Sequence, residues 1–228
     1  MTDSGNQQPC KKRLVVLVSG SGSNLQSFID ACAAGQLNAE VCAVISNNPS
    51  AGGLERAANA NIPNLVIDHR NFDHRETFDQ ALTEMIDSFA PDVIILAGFM
   101  RILTPQFVAH FLGRLINIHP SLLPAYPGLH THRRAIEAGD EMAGATVHYV
   151  IPELDAGPSI IQAPLSIAKT DTEQTLAARV LKLEHIIYPL AVSWLCDDRL
   201  SMQEGVAWLD NQPIASTGII FNQEANNQ

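Results

Sequence analysis

Short apolar runs recur along the first half of the chain, and each is followed by a stretch of helical character. The runs lie at residues 14–18, 41–45, 65–67 and 93–96. A run without polar positions is typical of a strand that is buried on both faces of a sheet. The helical stretches lie at residues 24–34, 54–60 and 76–89. This alternation predicts an α/β fold, a mostly parallel twisted sheet with helices on both faces.

The second half of the chain has a different pattern. Residues 146–151 and 159–167 are predicted to be strands, and the turn at 152–158 joins them. This turn is too short for the crossover that parallel strands require. We therefore expect an antiparallel pair in the C-terminal half.

A long helix is predicted over residues 172–195. Its apolar residues are spaced by three or four positions, at Leu176, Val180, Leu183, Ile187, Leu190 and Trp194. Thr170 and Glu173 have the spacing of a capping box at its start, and Pro189 is expected to kink it.

The composition is that of one globular domain. The chain has 228 residues, of which 46% are hydrophobic and 17% are charged. No internal repeat and no Pro/Gly/Ser-rich linker divides it. Because both ends are polar, we predict a single domain over residues 13–222, with disordered tails at 1–12 and 223–228.

Charge and hydropathy exclude several classes of partner. The 14 Lys and Arg residues against 24 Asp and Glu residues give a net charge of −10, which disfavours binding to a polyanion. No apolar run approaches the ~18 residues that span a bilayer, and the polar start lacks the apolar part of a signal peptide. The four cysteines form no C-x-x-C pair. We expect a cytoplasmic protein without a zinc site that binds neither nucleic acid nor membrane.

The most informative stretch is the end of an apolar strand at residues 114–124, which presents Asn117 and His119 before a Pro-bounded loop. Side chains alternate along a strand, so these two point to one side while Ile116 and Ile118 point into the core. Ligands collect beyond the carboxyl ends of parallel strands. A single histidine is nevertheless more often structural than catalytic, so the pair alone favours a hydrogen-bonded strand cap.

A carboxylate in the later turn changes that balance. Asp155 lies in the turn Glu-Leu-Asp-Ala-Gly-Pro at residues 153–158. A carboxylate near an imidazole raises its pKa from ~6.5 and fixes its tautomer. Asp155 is equally typical of an ordinary turn residue that caps its own backbone. The sequence by itself does not bring Asp155 beside His119.

A glycine-rich turn follows the first strand, with the sequence Ser-Gly-Ser-Gly-Ser-Asn-Leu at residues 19–25. Such a turn at a helix start exposes backbone N–H groups at the positive end of the helix dipole, which suits a phosphate. Leu25 replaces the third glycine of a dinucleotide motif, and no Walker lysine is present. We interpret the turn as a site for a phosphate monoester; the alternative is a tight turn with Ser23 or Asn24 as helix cap.

Two further stretches allow alternative interpretations. Residues 98–103 combine apolar side chains with one arginine, which suits either a pocket for a flat, partly apolar ligand or a loop packed on the sheet edge. His130 and His132 invite a metal site, but no carboxylate lies at ligand spacing. We predict no metal, and loop histidines around a substrate are the alternative.

Taken together, these motifs resemble the phosphoribosylglycinamide formyltransferase family, folate-dependent enzymes of purine synthesis. The resemblance rests on the stretches at residues 19–25, 97–103, 116–124, 126–132 and 153–158, in the family's order. The Asn, His and Ser-Leu-Leu-Pro element is shared with methionyl-tRNA formyltransferases and formyltetrahydrofolate hydrolases. The glycine-rich turn resembles the phosphoribosylglycinamide enzymes in particular. The implied fold is a single Rossmann-like formyltransferase catalytic domain.

The resemblance implies a role for each matching residue. It implies a catalytic trio of Asn117, His119 and Asp155. It implies that the substrate phosphoribosylglycinamide is bound by Gly22, Ser23, Asn24 and Glu184. It implies that the co-substrate 10-formyltetrahydrofolate is bound by Arg75, Met100, Arg101, Ile102, Leu103, Asn117, Ile151, Pro152, Glu153, Leu154 and Asp155. The implied partners are these two small molecules, and the implied assembly is a monomer or weak homodimer.

The reaction implied is transfer of the formyl group to the substrate amine. Asn117 and protonated His119 would stabilise the tetrahedral oxygen, and Asp155 would keep His119 charged. One alternative is a binding module that senses a phosphorylated metabolite. Another is formyl transfer to a different amine, such as an amino sugar or an aminoacyl-tRNA.

Overall fold

A computed structural model describes residues 11–222 of the chain. Residues 1–10 of the tail predicted at 1–12, and the whole of the tail predicted at 223–228, lie outside the described residues. Within them, Lys12 already belongs to the first strand, so ordered structure begins one residue before the predicted domain boundary at 13.

A central eight-stranded sheet has the strand order β11-β7-β6-β5-β4-β1-β2-β3. Its strands are β1 (Lys12–Val18), β2 (Ala39–Ser46), β3 (Asn64–Val66), β4 (Val93–Leu96), β5 (Leu115–His119), β6 (Met142–Tyr149), β7 (Ser159–Ser166) and β11 (Ile219–Ile220). A separate antiparallel sheet contains β8 (Leu200–Gln203), β9 (Val206–Leu209) and β10 (Gln212–Pro213). The helices are α1 (Ser23–Ala33), α2 (Gly52–Asn59), α3 (Arg75–Asp87), α4 (Pro105–His110), α5 (Thr131–Ala138) and α6 (Glu173–Cys196).

The predicted architecture is confirmed. Strands β1 to β5 pair in parallel, and β6 pairs antiparallel with both β5 and β7. The antiparallel pair follows from the short connection between β6 and β7, as the sequence predicted. Helices α4 and α5 and the C-terminal small sheet were not predicted, because their segments are short and carry weak apolar patterns.

Two hydrophobic cores cover the two faces of the sheet. On one face, Phe28 of α1 and Val180 of α6 pack on alternate strand residues such as Val16. On the other face, Phe78 of α3 and Phe107 of α4 pack on the intervening residues. The alternation of side chains along each buried strand therefore builds both cores from single apolar runs.

Helix α6 begins one residue later than predicted, and its capping box differs. Thr172 is the N-cap, its hydroxyl accepts from the backbone N–H of Thr175, and the Thr175 hydroxyl accepts from that of Thr172. The capping box predicted from Thr170 and Glu173 is therefore wrong by two residues. The helix continues through Pro189, where a kink stays a prediction. Among the described helices, none is long and apolar enough to cross a membrane.

Candidate active site

Strand β5 presents two polar side chains on one side, as predicted. Ile116 and Ile118 lie in the core with α1 and α6. Asn117 and His119 therefore point to the opposite face, where His119 is buried and Asn117 is half-buried. The strand thus places an amide and an imidazole next to each other at its carboxyl end.

Asp155 reaches His119 from the turn after β6. Its backbone is left-handed, with φ 52°, and its side chain is 7% exposed. Its Oδ2 atom lies 3.5 Å from Nδ1 of His119 and accepts the backbone N–H of Gly128 at 2.8 Å. The contact between Asp155 and His119, which sequence alone left open, is confirmed.

Both ring nitrogens of His119 face oxygen atoms. Nε2 donates to the carbonyl of Tyr126 at 2.9 Å, and Nδ1 faces Asp155. The imidazolium is the form that has a hydrogen on each nitrogen. At 3.5 Å the separation of Nδ1 and Oδ2 is longer than an ordinary hydrogen bond, so Asp155 faces the ring without being hydrogen-bonded to it.

His148 is a site residue that the sequence analysis missed. It lies opposite Asn117 in the β5–β6 ladder, and its Nε2 is 3.8 Å from Oδ1 of Asp155. Burial lowers the pKa of His148 to about 4, so the ring is neutral at pH 7. The alternation of Thr146 and His148 along β6 was the available signal, but the strand register was needed to place His148 opposite Asn117.

The neutral ring of His148 orients Asn117. Its Nδ1 faces the carbonyl of Tyr149 at 2.9 Å and therefore donates. Nε2 is then the acceptor, and it takes a hydrogen from Nδ2 of Asn117 at 3.2 Å. One amide hydrogen of Asn117 is thereby fixed, and the second remains available to a ligand.

The glycine-rich turn forms the start of α1. Gly22 is the N-cap with φ 72°, and no side chain caps the helix. A Cβ atom at Gly22 would lie 2.5 Å from Cα of Gly53, so this position accepts glycine alone. Ser23 and Asn24 lie inside the helix, and neither acts as its cap. The N–H groups of the first turn thus lack a side-chain cap, which favours the anion-site interpretation.

The long helix brings Glu184 to this turn. Asn24 donates from Nδ2 to Oε2 of Glu184 at 2.7 Å, and both residues are buried. Burial raises the pKa of Glu184, and the hydrogen bond from Asn24 opposes that rise. Residues 160 positions apart in the chain therefore form one polar contact beside the glycine turn.

The sequence analysis missed two basic side chains near the same turn, Arg56 and His185. Burial lowers the pKa of His185, which disfavours its charged form, so Arg56 is the cation of the pair. Arg56 donates from Nε to the carbonyl of Ser21 at 2.8 Å. Arg56 and His185 line, together with Ser23, a cavity of about 940 Å³ between α1 and α6. His185 directly follows Glu184 in the sequence, and this adjacency was the signal that could have placed it near the substrate site.

The segment at 98–103 combines both predicted features. Met100 and Ile102 are 67% and 57% exposed, whereas Leu103 is buried. The Arg101 guanidinium lies over the ring of Phe78, 5.0 Å from its centroid. Part of the segment thus packs on α3, while its apolar tip faces solvent.

The other residues assigned to the folate site lie on two surface segments. Arg75 is exposed in the first turn of α3, one turn before the Phe78 that contacts Arg101. In the turn after β6, Ile151 is half-buried, and the next three side chains are exposed, namely Pro152, Glu153 and Leu154. Leu154, which is 57% exposed, is an exposed apolar side chain next to Asp155.

The histidine pair lies at the start of α5. His130 is the N-cap in a left-handed conformation, and His132 lies in the first turn. Burial lowers the pKa of His132, whose Nδ1 atom has no hydrogen-bond partner. Across residues 11–222, no group of three or more His, Cys, Asp or Glu residues is arranged to hold a metal ion.

A family model described as formyl transferase matches residues 12–192. The chain belongs to the formyl transferase family. The match spans all of the elements that build the site, from the glycine turn to Glu184 of α6.

Curated relatives of this formyl transferase carry a narrower name. The phosphoribosylglycinamide formyltransferase of Escherichia coli (strain K12) is 54% identical over 205 residues, which are 90% of this chain and 97% of that protein. The enzyme of the same name from Haemophilus influenzae is 44% identical over 207 residues, 91% and 98% of the two chains.

Solved structures agree with these relatives. The phosphoribosylglycinamide formyltransferase of Coxiella burnetii has a TM-score of 0.89 at 49% identity, covering 93% of this formyl transferase and 100% of that chain. A formyltetrahydrofolate deformylase from Pseudomonas syringae has a TM-score of 0.80 at 26% identity, covering 87% and 66%.

Proposed function

We propose that this formyl transferase moves the formyl group of 10-formyltetrahydrofolate to the amine of phosphoribosylglycinamide, in purine biosynthesis. The observation that carries the proposal is the contact of Asp155 with His119, next to Asn117. The family uses 10-formyltetrahydrofolate as co-substrate, and the glycine turn supplies the phosphate site that this acceptor requires.

Phosphoribosylglycinamide binds with its phosphate at Gly22, Ser23 and Asn24. The uncapped start of α1 supports this assignment, because its backbone N–H groups are free to donate to a phosphate. The positive end of the helix dipole also favours a negative charge there. Glu184 contacts the remainder of the substrate and is held next to the phosphate by Asn24. Arg56 adds positive charge beside the turn.

The folate binds along the exposed apolar tips of two segments. One tip contains Met100 and Ile102, and the other contains Leu154. These two segments contain most of the folate residues assigned by the resemblance, namely Met100, Arg101, Ile102, Leu103, Ile151, Pro152, Glu153, Leu154 and Asp155. Arg75 of α3 and Asn117 of β5 complete the assignment. An apolar rim with few polar groups suits a flat ligand with polar edges.

The chemistry is attack of the neutral amine on the formyl carbon. A C–N bond forms, and the formyl oxygen becomes negative in the tetrahedral intermediate. The free amide hydrogen of Asn117 and the Nδ1 hydrogen of His119 donate to that oxygen, and each such donor is worth ~10²–10³ in turnover. Asp155 stabilises the His119 cation.

Collapse of the intermediate breaks the bond to the folate nitrogen. One proton leaves the former amine and reaches the folate nitrogen, through His119 and Asp155. The products are tetrahydrofolate and the N-formyl derivative of phosphoribosylglycinamide. We further propose that the protein acts as a monomer or weak homodimer in the cytoplasm.

An acceptor panel tests the proposal. The protein is incubated with 10-formyltetrahydrofolate carrying a ¹³C formyl group and, separately, with phosphoribosylglycinamide, an amino sugar phosphate or an aminoacyl-tRNA. Mass spectrometry should detect the label in phosphoribosylglycinamide alone. Label in another amine, or in free formate at the same rate without any amine, would contradict the proposal.

A further inference from the structure

The segment at residues 98–104, here called the donor segment, has an exposed tip. Met100 and Ile102 make few contacts with the protein, being 67% and 57% exposed. A ligand-binding loop of this kind requires anchors that hold its backbone to within a fraction of an ångström. Two side chains supply such anchors, one on each side of the tip.

Ser19 anchors the first side. Its hydroxyl accepts the backbone N–H of Met100 at 2.8 Å and donates to Oδ1 of Asn47 at 2.5 Å. Its own backbone N–H donates to the carbonyl of Gly98 at 3.2 Å. Ser19 is the first residue of the glycine-rich turn, here also called the phosphate turn. This single residue therefore connects that turn, the end of β2 and the donor segment.

Asp79 of α3 anchors the other side. It is 3% exposed, and its Oδ2 accepts the backbone N–H of Thr104 at 2.6 Å. Thr104 is buried too, and a hydrogen bond in such a low-dielectric interior is stronger than one exposed to water. The preceding residue, Phe78, holds Arg101 under the tip. One turn of α3 therefore fixes the middle and the end of the donor segment.

We propose that Ser19 and Asp79 are positioning residues that fix the donor segment relative to the phosphate turn. They set the distance at which the formyl carbon of the folate meets the amine of the other substrate. This inference rests on the proposed function for the identity of the two ligands. Neither side chain needs to touch a ligand for the effect.

The test measures folate affinity apart from turnover. The dissociation constant of tetrahydrofolate is determined by titration for Ser19→Ala and Asp79→Ala. Each should weaken binding about fivefold, the effect of losing one backbone hydrogen bond. The KM for 10-formyltetrahydrofolate should rise with it, whereas the KM for phosphoribosylglycinamide should stay within about twofold.

Matched variants separate positioning from a general structural effect. Asp79→Asn keeps an oxygen acceptor for the Thr104 N–H and should restore most of the tetrahydrofolate affinity. Ser50→Ala removes an exposed hydroxyl with no hydrogen bond among the described residues, and Glu84→Ala removes an exposed carboxylate of α3. Both controls should bind tetrahydrofolate like the wild type.

Unchanged tetrahydrofolate affinity in both alanine variants would overturn the inference. An equal rise of both KM values would do so too, because it would indicate general loosening. Thermal melts show whether a variant is folded. If Asp79→Ala is not folded, the tetrahydrofolate affinities of Asp79→Asn and Ser19→Ala test the inference instead. Wild-type protein that binds tetrahydrofolate but formylates no amine would contradict the proposed function and leave this affinity test in force.

Discussion

Asp155 connects the two histidines of the site, His119 and His148. It lies within 3.5 Å of His119 and 3.8 Å of His148, and the N–H of Gly128 stabilises its charge. The two histidines have opposite tasks, because His119 faces oxygen on both ring nitrogens whereas His148 is held neutral. The two environments assign one histidine to charge stabilisation and the other to orientation of Asn117.

Replacing Asp155 by Asn removes the charge and preserves the shape. We expect kcat to fall by at least ~100-fold, because the imidazolium of His119 loses its counter-charge in the transition state. The tetrahydrofolate dissociation constant should change little. Steady-state kinetics and a binding titration measure the two effects, and near-normal turnover would remove Asp155 from the mechanism.

The burial of His148 should make stability depend on pH. The unfolded chain takes up this proton near pH 6.5, but the folded protein takes it up only near pH 4. Between these values the unfolded state binds more protons, so the free energy of unfolding decreases as the pH falls. Urea unfolding at pH 7 and pH 5 should therefore show a smaller loss in His148→Gln, which keeps an acceptor but does not titrate. An equal loss in both proteins would show that His148 titrates normally.

At the scale of elements, strand ends and helix starts bring the site together. The carboxyl end of β5 carries Asn117 and His119, and the first turn of α1 forms the phosphate turn. The turn between β6 and β7 folds back over the same side of the sheet to bring in Asp155. The sheet thus fixes the end of β5 and the turn that follows β1. The turn between β6 and β7 is held by backbone hydrogen bonds within it, such as that from Tyr149 to Pro158.

The start of α1 offers a direct comparison of two glycines. Gly22→Ala would force a left-handed backbone on alanine and place its Cβ against Gly53. We expect the KM for phosphoribosylglycinamide to rise at least ~10-fold, with about 1–3 kcal/mol of lost stability. Gly20→Ala is the control, since its Cβ would meet nothing within 4 Å. Equal behaviour of the two variants in both measurements would contradict a special role for Gly22.

The elements differ in how much of them the sequence could predict. Strand β4 matched its predicted bounds, because its run of four large apolar residues begins after Asp92 and ends before the small residues Ala97 and Gly98. The capping box of α6 was placed two residues too early, since Thr170 and Thr172 offer similar hydroxyls and only the preceding turn selects Thr172. Local patterns thus locate elements better than they locate their ends.

The site could be predicted only as far as contacts within one segment allow. Asn117 and His119 follow from alternation along β5. Their contacts with Asp155 and His148 depend on strand register and on a turn that folds back, and neither property is written in a local pattern. Family resemblance pointed to Asp155, whereas His148 had no such signal and was missed.

At the scale of the whole molecule, positive charge is local. The chain has a net charge of −10, yet Arg56 lies beside the glycine-rich turn. A net negative charge disfavours polyanions such as tRNA, while a small phosphate monoester still meets Arg56 and helix N–H groups at this turn. The molecule as a whole therefore favours a small anionic acceptor over a nucleic acid.

The coupling of donor turnover to the acceptor amine tests the central claim most directly. Release of tetrahydrofolate from 10-formyltetrahydrofolate is followed with the wild-type protein, with and without phosphoribosylglycinamide. We expect release only when the amine is present, with one formylated product for each tetrahydrofolate. Equal release without the amine would identify a hydrolase, and no release in either case would identify a binding module; both results would contradict formyl transfer by this site.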